Sequence, residues 1–110
     1  MIVTREGNII LINHEKGSVI EFVRKIEDNF NNYKNDNIVV QLTSLDGLTS
    51  ADVVEFLSIC KQHKASNKSF VLVSNNIEID DVPDEITLVP TLREAFDMIE
   101  MEDMERDLGI

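Results

Sequence analysis

Two apolar runs rich in β-branched residues constrain the fold of this chain more than any other feature. One run covers residues 37–43 and the other covers residues 69–74. Runs of this length without polar alternation are typical of strands buried on both faces, and such strands lie in sheets that helices cover on both sides. We therefore predict an α/β domain, with the strand at residues 37–43 at the centre of its sheet.

The other segments predict a hairpin, three helices and one more strand around these two strands. Short apolar stretches flank Gly7, where a glycine permits the left-handed turn of a β-hairpin. Capping boxes, which mark helix starts, are predicted at Ser18 with Glu21, Thr49 with Asp52, and Thr91 with Glu94. With a last strand at residues 86–89, the predicted architecture is a mixed central sheet of about five strands covered by three main helices.

The length of the chain fits one domain followed by a short helical extension. At 110 residues there is room for a single hydrophobic core. We assign residues 1–97 to the domain and residues 98–110 to an acidic, methionine-containing extension of its last helix. The side chains that suffice to pack that helix on the sheet are Leu92, Ala95, Phe96 and Ile99.

A second apolar seam runs along this extension. Its members, at three- and four-residue steps, are Met98, Met101, Met104 and Leu108. Methionine-rich seams between charged residues suit docking of a helix onto a partner or onto a second copy of the chain. The alternative, that these residues pack on the core or fray, stays open.

Negative charge is concentrated in the C-terminal third of a chain whose formal charge is −11. Residues 1–75 hold nine acidic and eight basic residues, whereas residues 76–110 hold twelve acidic residues and only Arg93 and Arg106 as bases. Such a field repels phosphate backbones and attracts basic protein surfaces. We therefore expect no nucleic-acid binding and a partner with a basic surface, although a solvated helix face that keeps the protein soluble explains the same charge.

The inventory of reactive side chains argues against an enzyme. The chain has one cysteine and two histidines, without a glycine-rich phosphate loop or a G-x-S-x-G motif, and we expect no metal and no cofactor. Cys60 is predicted to be a buried hydrophobe, and His63 is predicted to lie at the surface near a helix end. The lone cysteine and the absence of a signal-peptide or membrane-spanning pattern predict a cytoplasmic protein that does not bind membranes.

The segment from residue 37 to residue 57 resembles the core of STAS domains, the family of anti-sigma-factor antagonists. It consists of a strand that ends in a leucine, then Leu-Asp-x-Leu, then a hydroxyl residue that opens a helix. The strand at residues 70–73 and the helix that begins Leu92-Arg93-Glu94-Ala95 also fit this family. The resemblance implies a non-catalytic regulatory module that binds another protein, and a kinase partner that phosphorylates a serine at the helix start.

Carried onto this sequence, the resemblance indicates one candidate phosphorylation site. The family's loop has the form Asp-Ser-Ser/Thr-Gly, and Thr49-Ser50-Ala51-Asp52 stands in its place, so that Ser50 occupies the position of the phosphorylated serine. The resemblance implies a partner-binding role for Asp46, Thr49, Ser50 and Asp52. Two alternatives stay open: these residues only cap the helix, or Asp52 supplies a permanent anion to a fixed binding surface.

The C-terminal sequence is also similar to short STAS-like chains of flavobacteria that are often labelled ribonuclease Z. The similarity rests on the segment at residues 89–95 and on the Met-Ile-Glu-Met-Glu and Glu-Arg-Asp-Leu-Gly stretches that follow. The label implies a metallo-β-lactamase fold with a His-x-His-x-Asp-His motif, which this sequence lacks. We therefore exclude the nuclease itself and keep ribonuclease Z as a partner hypothesis.

Two functional hypotheses follow from these observations. The first is a STAS-type module in which the surface around Ser50, together with the acidic tail, binds a kinase-like regulator or another basic protein. The second is a structural or assembly protein whose acidic last helix mediates oligomerisation, such as a homodimer, or docks onto a partner such as ribonuclease Z.

Overall fold

A mixed five-stranded sheet forms the centre of the molecule, in a computed structural model that describes residues 1–45 and 47–109 apart from the side chain of Ile79. The strands are β1 Ile2–Glu6, β2 Ile9–Asn13, β3 Asn37–Gln41, β4 Phe70–Val73 and β5 Thr87–Val89. They lie side by side in sequence order, with β1 antiparallel to β2 and the remaining pairs parallel. The predicted α/β class, N-terminal hairpin and central strand are confirmed, and Gly7 turns the hairpin with a φ of +60°.

Helices cover both faces of this sheet. They are α1 Val19–Asp28, α2 Phe30–Tyr33, α3 Ser50–Val54, α4 Leu57–Ala65 and α5 Leu92–Asp107, and a short 3₁₀ helix lies at Ile79–Asp81. Ser18, Thr49 and Thr91 cap α1, α3 and α5, because each hydroxyl accepts the N–H of the acidic residue three positions later. Of the three predicted capping boxes, the one formed by Thr49 and Asp52 is confirmed in full.

Two of the three predicted helices are interrupted. Asn29 separates α1 from the single turn of α2, and its side-chain Nδ2 donates to the carbonyl of Lys25 at 2.8 Å. The second predicted helix tightens at Glu55 and Phe56, whose N–H groups bond to carbonyls three residues back. Bonds of this kind form a 3₁₀-type turn, which divides the segment into α3 and α4 and leaves Phe56 fully buried.

The helices form two layers on opposite faces of the sheet. Buried side chains of α1, α3 and α4 pack on Ile10, Ile12, Ile38, Val40, Phe70 and Leu72. On the other face, α5 packs through Ala95 and Ile99 on Leu11, Val39, Val71, Val73 and Val89. Strands β3 and β4 are therefore buried on both faces, as their apolar runs predict.

The surface position predicted for His63 is wrong. The ring is fully buried, because Phe30 and Phe70 enclose it edge-on at centroid distances of 5.4 Å and 6.0 Å. Its Nε2 lies 2.7 Å from the carbonyl oxygen of Asp36, and burial lowers its pKa below the ordinary value of 6.5.

Cys60 is buried as predicted, and burial raises the pKa of its thiol to about 12, so the thiol is protonated and inert at neutral pH.

Helix α5 runs without interruption across the predicted boundary after residue 97. Its last turns are tied to the amino edge of the sheet by a network centred on Asn37, which is 1% exposed. Asn37 Nδ2 donates to Asp103 Oδ2 at 3.1 Å, and Asn37 Oδ1 accepts the N–H of Ser69 at 2.9 Å. Arg106 donates to both Asp103 and the Ser69 hydroxyl. Asp103 and Arg106 of the predicted extension are thus hydrogen-bonded to the domain.

The carboxylate of Asp103 is the charged centre of this network. Partial burial opposes its ionisation, but hydrogen bonds from Arg106, Asn8 and Asn37 outweigh that effect and hold the pKa of Asp103 below its ordinary value of 3.8. The ionised form is therefore the one that the fold stabilises.

The described residues form a compact body. The Cα radius of gyration is 13.0 Å, close to the ~13 Å typical of a folded domain of about 100 residues. None of the described helices is long and apolar enough to cross a membrane.

Candidate functional site

The loop between β3 and α3, where the sequence places Ser50, is anchored by leucines. Leu42 and Leu48 are buried, and Leu45 packs partly against the same core. The Ser44 hydroxyl also donates to the carbonyl of His14 at 3.0 Å, which ties the loop to the end of β2. These contacts fix the start of α3 at the carboxyl edge of the parallel strands, where α/β proteins commonly place binding sites.

The start of α3 is closed by a complete capping box. Thr49 Oγ1 accepts the N–H of Asp52 at 3.2 Å, and Asp52 Oδ2 accepts the N–H of Thr49 at 3.0 Å. The predicted capping role of these two residues is confirmed, and the Asp52 carboxylate is occupied by the chain's own backbone. Asp46, the fourth residue predicted for this site, lies outside the described residues.

Ser50 is the first residue of α3 and is half-buried. Val54 follows four positions later, and residues at this spacing lie on the same side of a helix, about 5–6 Å apart at Cβ. The Val54 side chain is 41% exposed, although it is aliphatic and β-branched. The hydroxyl of Ser50 and an exposed apolar side chain therefore share one surface.

An open groove of about 480 Å³ continues this surface onto α4. Its lining is Val54, Glu55, Leu57, Ser58 and Lys61. Leu57 is half-buried and adds a second apolar side chain beside Val54. We call Ser50, Val54, Leu57, Ser58 and Lys61 the α3–α4 surface.

The members of the predicted seam on α5 border two different grooves. Met98 packs partly on the core and, with Met101, lines a shallow groove beside the end of β5. Met104 lines a different groove, beside the β1–β2 hairpin. Leu108, at the end of the helix, is 74% exposed. Met101, Met104 and Leu108 all stay exposed, at the three- and four-residue steps that keep residues on one side of a helix.

The two sets of predicted site residues lie on opposite faces of the sheet. Thr49, Ser50 and Asp52 belong to the layer of α1, α3 and α4, whereas the methionines belong to α5. A single partner surface of ordinary size would contact one set or the other. The site around Ser50 and the α5 helix are therefore separate candidates.

The groove beside the hairpin was not predicted from the sequence. It brings Glu6 and Ile9, at the turn of the hairpin, next to Phe96 and Met104 of α5. No local pattern joins residues so far apart in the chain, because only the packing of α5 on the sheet makes them neighbours. In the part of the chain that the structure describes, no three side chains of the His, Cys, Asp and Glu types converge to hold a metal ion.

Comparisons with known proteins bear on the fold. No family model matches the sequence, and no curated protein matches it. Among solved structures, the NMR structure of the protein TM1081 is similar, with a TM-score of 0.66 and 20% sequence identity over 89% of this chain and 86% of that chain. The likeness establishes a shared α/β fold. At this identity it assigns no function.

Proposed function

We propose that this chain is a non-catalytic, STAS-type regulatory module that binds another protein through its α3–α4 surface. The observation that carries the proposal is the apolar pair Val54 and Leu57, which lines one groove, with Val54 a single turn from Ser50. Exposed aliphatic side chains beside a polar rim are typical of the centre of a protein interface. The order of strand, anchored loop and short helix agrees with the STAS resemblance of the sequence. A kinase-like regulator is the partner that this resemblance favours.

Phosphorylation of Ser50 is the proposed switch of this surface. A phosphate would add nearly two negative charges beside Val54 and two residues from the Asp52 carboxylate. Burying that charge in an apolar contact carries a large desolvation penalty. We therefore expect phosphorylation to release the partner.

The single cysteine also supports the proposal of a cytoplasmic location, because disulfides are not needed for this fold.

The test is a quantitative pull-down from the native lysate with three variants. Val54→Ser removes the exposed apolar side chain, and Ile20→Ser is the matched control because Ile20 of α1 is similarly exposed, at 49%. Val54→Ser is expected to reduce recovery of the specific partner roughly tenfold, the effect of losing one central contact. Ser50→Asp is expected to reduce recovery as well. Equal recovery with Val54→Ser and the intact chain would refute the proposed surface.

A second candidate function is favoured by the exposed apolar side chains of α5. Met101 and Leu108 lie on its outer face, at 46% and 74% exposure. This face supports the alternative of an assembly protein that oligomerises, or docks onto a partner such as ribonuclease Z, through α5. Light scattering tests it, since Met101→Lys combined with Leu108→Lys is expected to reduce the molar mass of an oligomer to that of the monomer.

A further inference from the structure

One face of the sheet is only partly covered. On that face α5 lies mainly over β3, β4 and β5. Five strands span about 19 Å and a helix with its side chains is about 10 Å across. Helix α5 therefore leaves β1, whose five residues are all exposed, without a layer above it, whereas Leu11 of β2 is buried beneath the helix.

The hairpin presents side chains to this open area. In the strand register Thr4 lies opposite Leu11 and Glu6 lies opposite Ile9. Leu11 belongs to the core under α5, so the side chains of Ile2, Thr4 and Glu6 point to the same face. Ile2 is 51% exposed there. The uncovered strand thus presents one exposed apolar side chain, Ile2, on the face that carries α5.

A groove of about 420 Å³ separates the hairpin from α5. Its apolar lining consists of Ile9, Phe96, Ile99 and Met104. Ile9 and Phe96 are only half-buried, and Met104 is 55% exposed. The volume is within the range of sites that bury ligand groups, about 300–1,000 Å³. We call this feature the hairpin groove.

The rim of the hairpin groove is acidic. Glu6 stands on the hairpin side, and Glu100 and Asp107 stand on α5. Asp103 also lines the groove, but its charge is compensated by Arg106. Among the described residues, no ion pair is formed by Glu6, Glu100 or Asp107. Three carboxylates therefore surround an apolar floor without cations to balance them.

We infer that the hairpin groove binds a basic amphipathic helix of a partner protein. The apolar face of that helix packs on Ile9, Phe96 and Met104, and its lysine or arginine side chains reach the three rim carboxylates. A second copy of this chain is a poor occupant, since each copy carries a charge of −11 and the rim would face more acid. The site goes beyond the proposed function, because it lies on the face of the sheet opposite the α3–α4 surface.

The first arm of the test measures the apolar contact. The probe is a fluorescein-labelled leucine–lysine peptide of about 14 residues, which spans ~21 Å as a helix, titrated with the full chain at low salt and followed by fluorescence anisotropy. Met104→Ser is expected to weaken binding about fivefold, because one buried side chain is lost. Ile20→Ser, on the opposite face, is the control and is expected to leave the dissociation constant unchanged.

The second arm measures the charge contact with equal changes of net charge. Glu100→Gln with Asp107→Asn removes two rim carboxylates, and Asp97→Asn with Glu105→Gln removes two carboxylates of α5 outside the groove. The rim pair is expected to weaken binding about tenfold, and the control pair less than about twofold. Circular dichroism of each variant checks that the fold is intact.

Several outcomes would overturn the inference. Equal weakening by the rim pair and the control pair would mean diffuse attraction between a basic peptide and an acidic protein. Equal binding of a leucine–glutamate peptide, or no saturable binding, would also contradict it. A dimer that Met104→Ser dissociates would assign the groove to a second copy. Val54→Ser is expected to leave peptide binding unchanged, so failure of the α3–α4 proposal and failure of this one remain distinguishable.

Discussion

At the scale of single residues, His63 links the buried core to the response of the protein to acid. Its ring is enclosed by Phe30 and Phe70, and burial lowers its pKa below 6.5. The unfolded chain therefore binds a proton near pH 6.5 that the folded chain does not yet bind. Because the unfolded state then holds more protons, the free energy of unfolding falls as the pH falls below 6.5.

This linkage predicts a difference in pH slope between the intact chain and His63→Phe. The intact chain is expected to lose stability between pH 7 and pH 5 with an additional slope of up to about 1.4 kcal/mol per pH unit, the limit for one proton. The slope is measured by urea denaturation at several pH values, so that a constant loss of stability from the substitution does not matter. Identical slopes for the two proteins would contradict the linkage.

Asp103 acts in a separate pH window. The pKa of Asp103 lies below 3.8 in the folded chain. Its contribution to the free energy of unfolding is therefore complete above pH 3.8, and it is lost only as the pH falls through the pKa of the folded state. Measurements between pH 5 and pH 7 therefore report on His63 without interference from this carboxylate.

At the scale of elements, the attachment of α5 depends on Asn37. Among the described residues, only the Asn37 side chain both accepts the buried N–H of Ser69 and donates to Asp103. Removing it leaves a buried donor without an acceptor, and such a group costs more than the bond itself contributes. The C-terminal half of α5 is thus held by polar contacts rather than by a continuous apolar stripe.

Asn37→Ala is accordingly expected to destabilise the protein by about 2–3 kcal/mol. Asn8→Ala is the matched control, because the exposed side chain of Asn8 donates a single bond to the same Asp103 carboxylate, and a loss of at most about 1 kcal/mol is expected. Urea denaturation at neutral pH measures both. If the losses of stability in Asn37→Ala and Asn8→Ala agree within about 0.5 kcal/mol, burial of the network does not add to its contribution to stability.

The elements also show which features a sequence of this kind reveals. Strands β3 and β4 and the caps at Ser18, Thr49 and Thr91 depend on local patterns, so they were predicted correctly. The burial of His63 was not, because its aromatic neighbours come from α2 and β4. The division of the second helix at Phe56 had no sequence signal, since neither glycine nor proline is present there.

At the scale of the whole molecule, the sheet separates two surfaces with different character. The α3–α4 surface carries an apolar pair near Ser50, with Lys61 at its margin. The opposite face carries α5, the acidic rim and the hairpin groove. The sequence predicted residues on both surfaces, but it could not show that they face away from each other. Our two proposals therefore predict that two partners bind at once, each without contacting the other.

The most direct test of the central claim is photo-crosslinking from the α3–α4 surface in intact cells. A benzophenone amino acid replaces Val54 in one strain and Ile20 in a control strain, since both positions are similarly exposed. Our account predicts one discrete, light-dependent adduct of higher mass from position 54 and none from position 20. The same adduct from both positions, or none from position 54, would contradict a binding role for the α3–α4 surface.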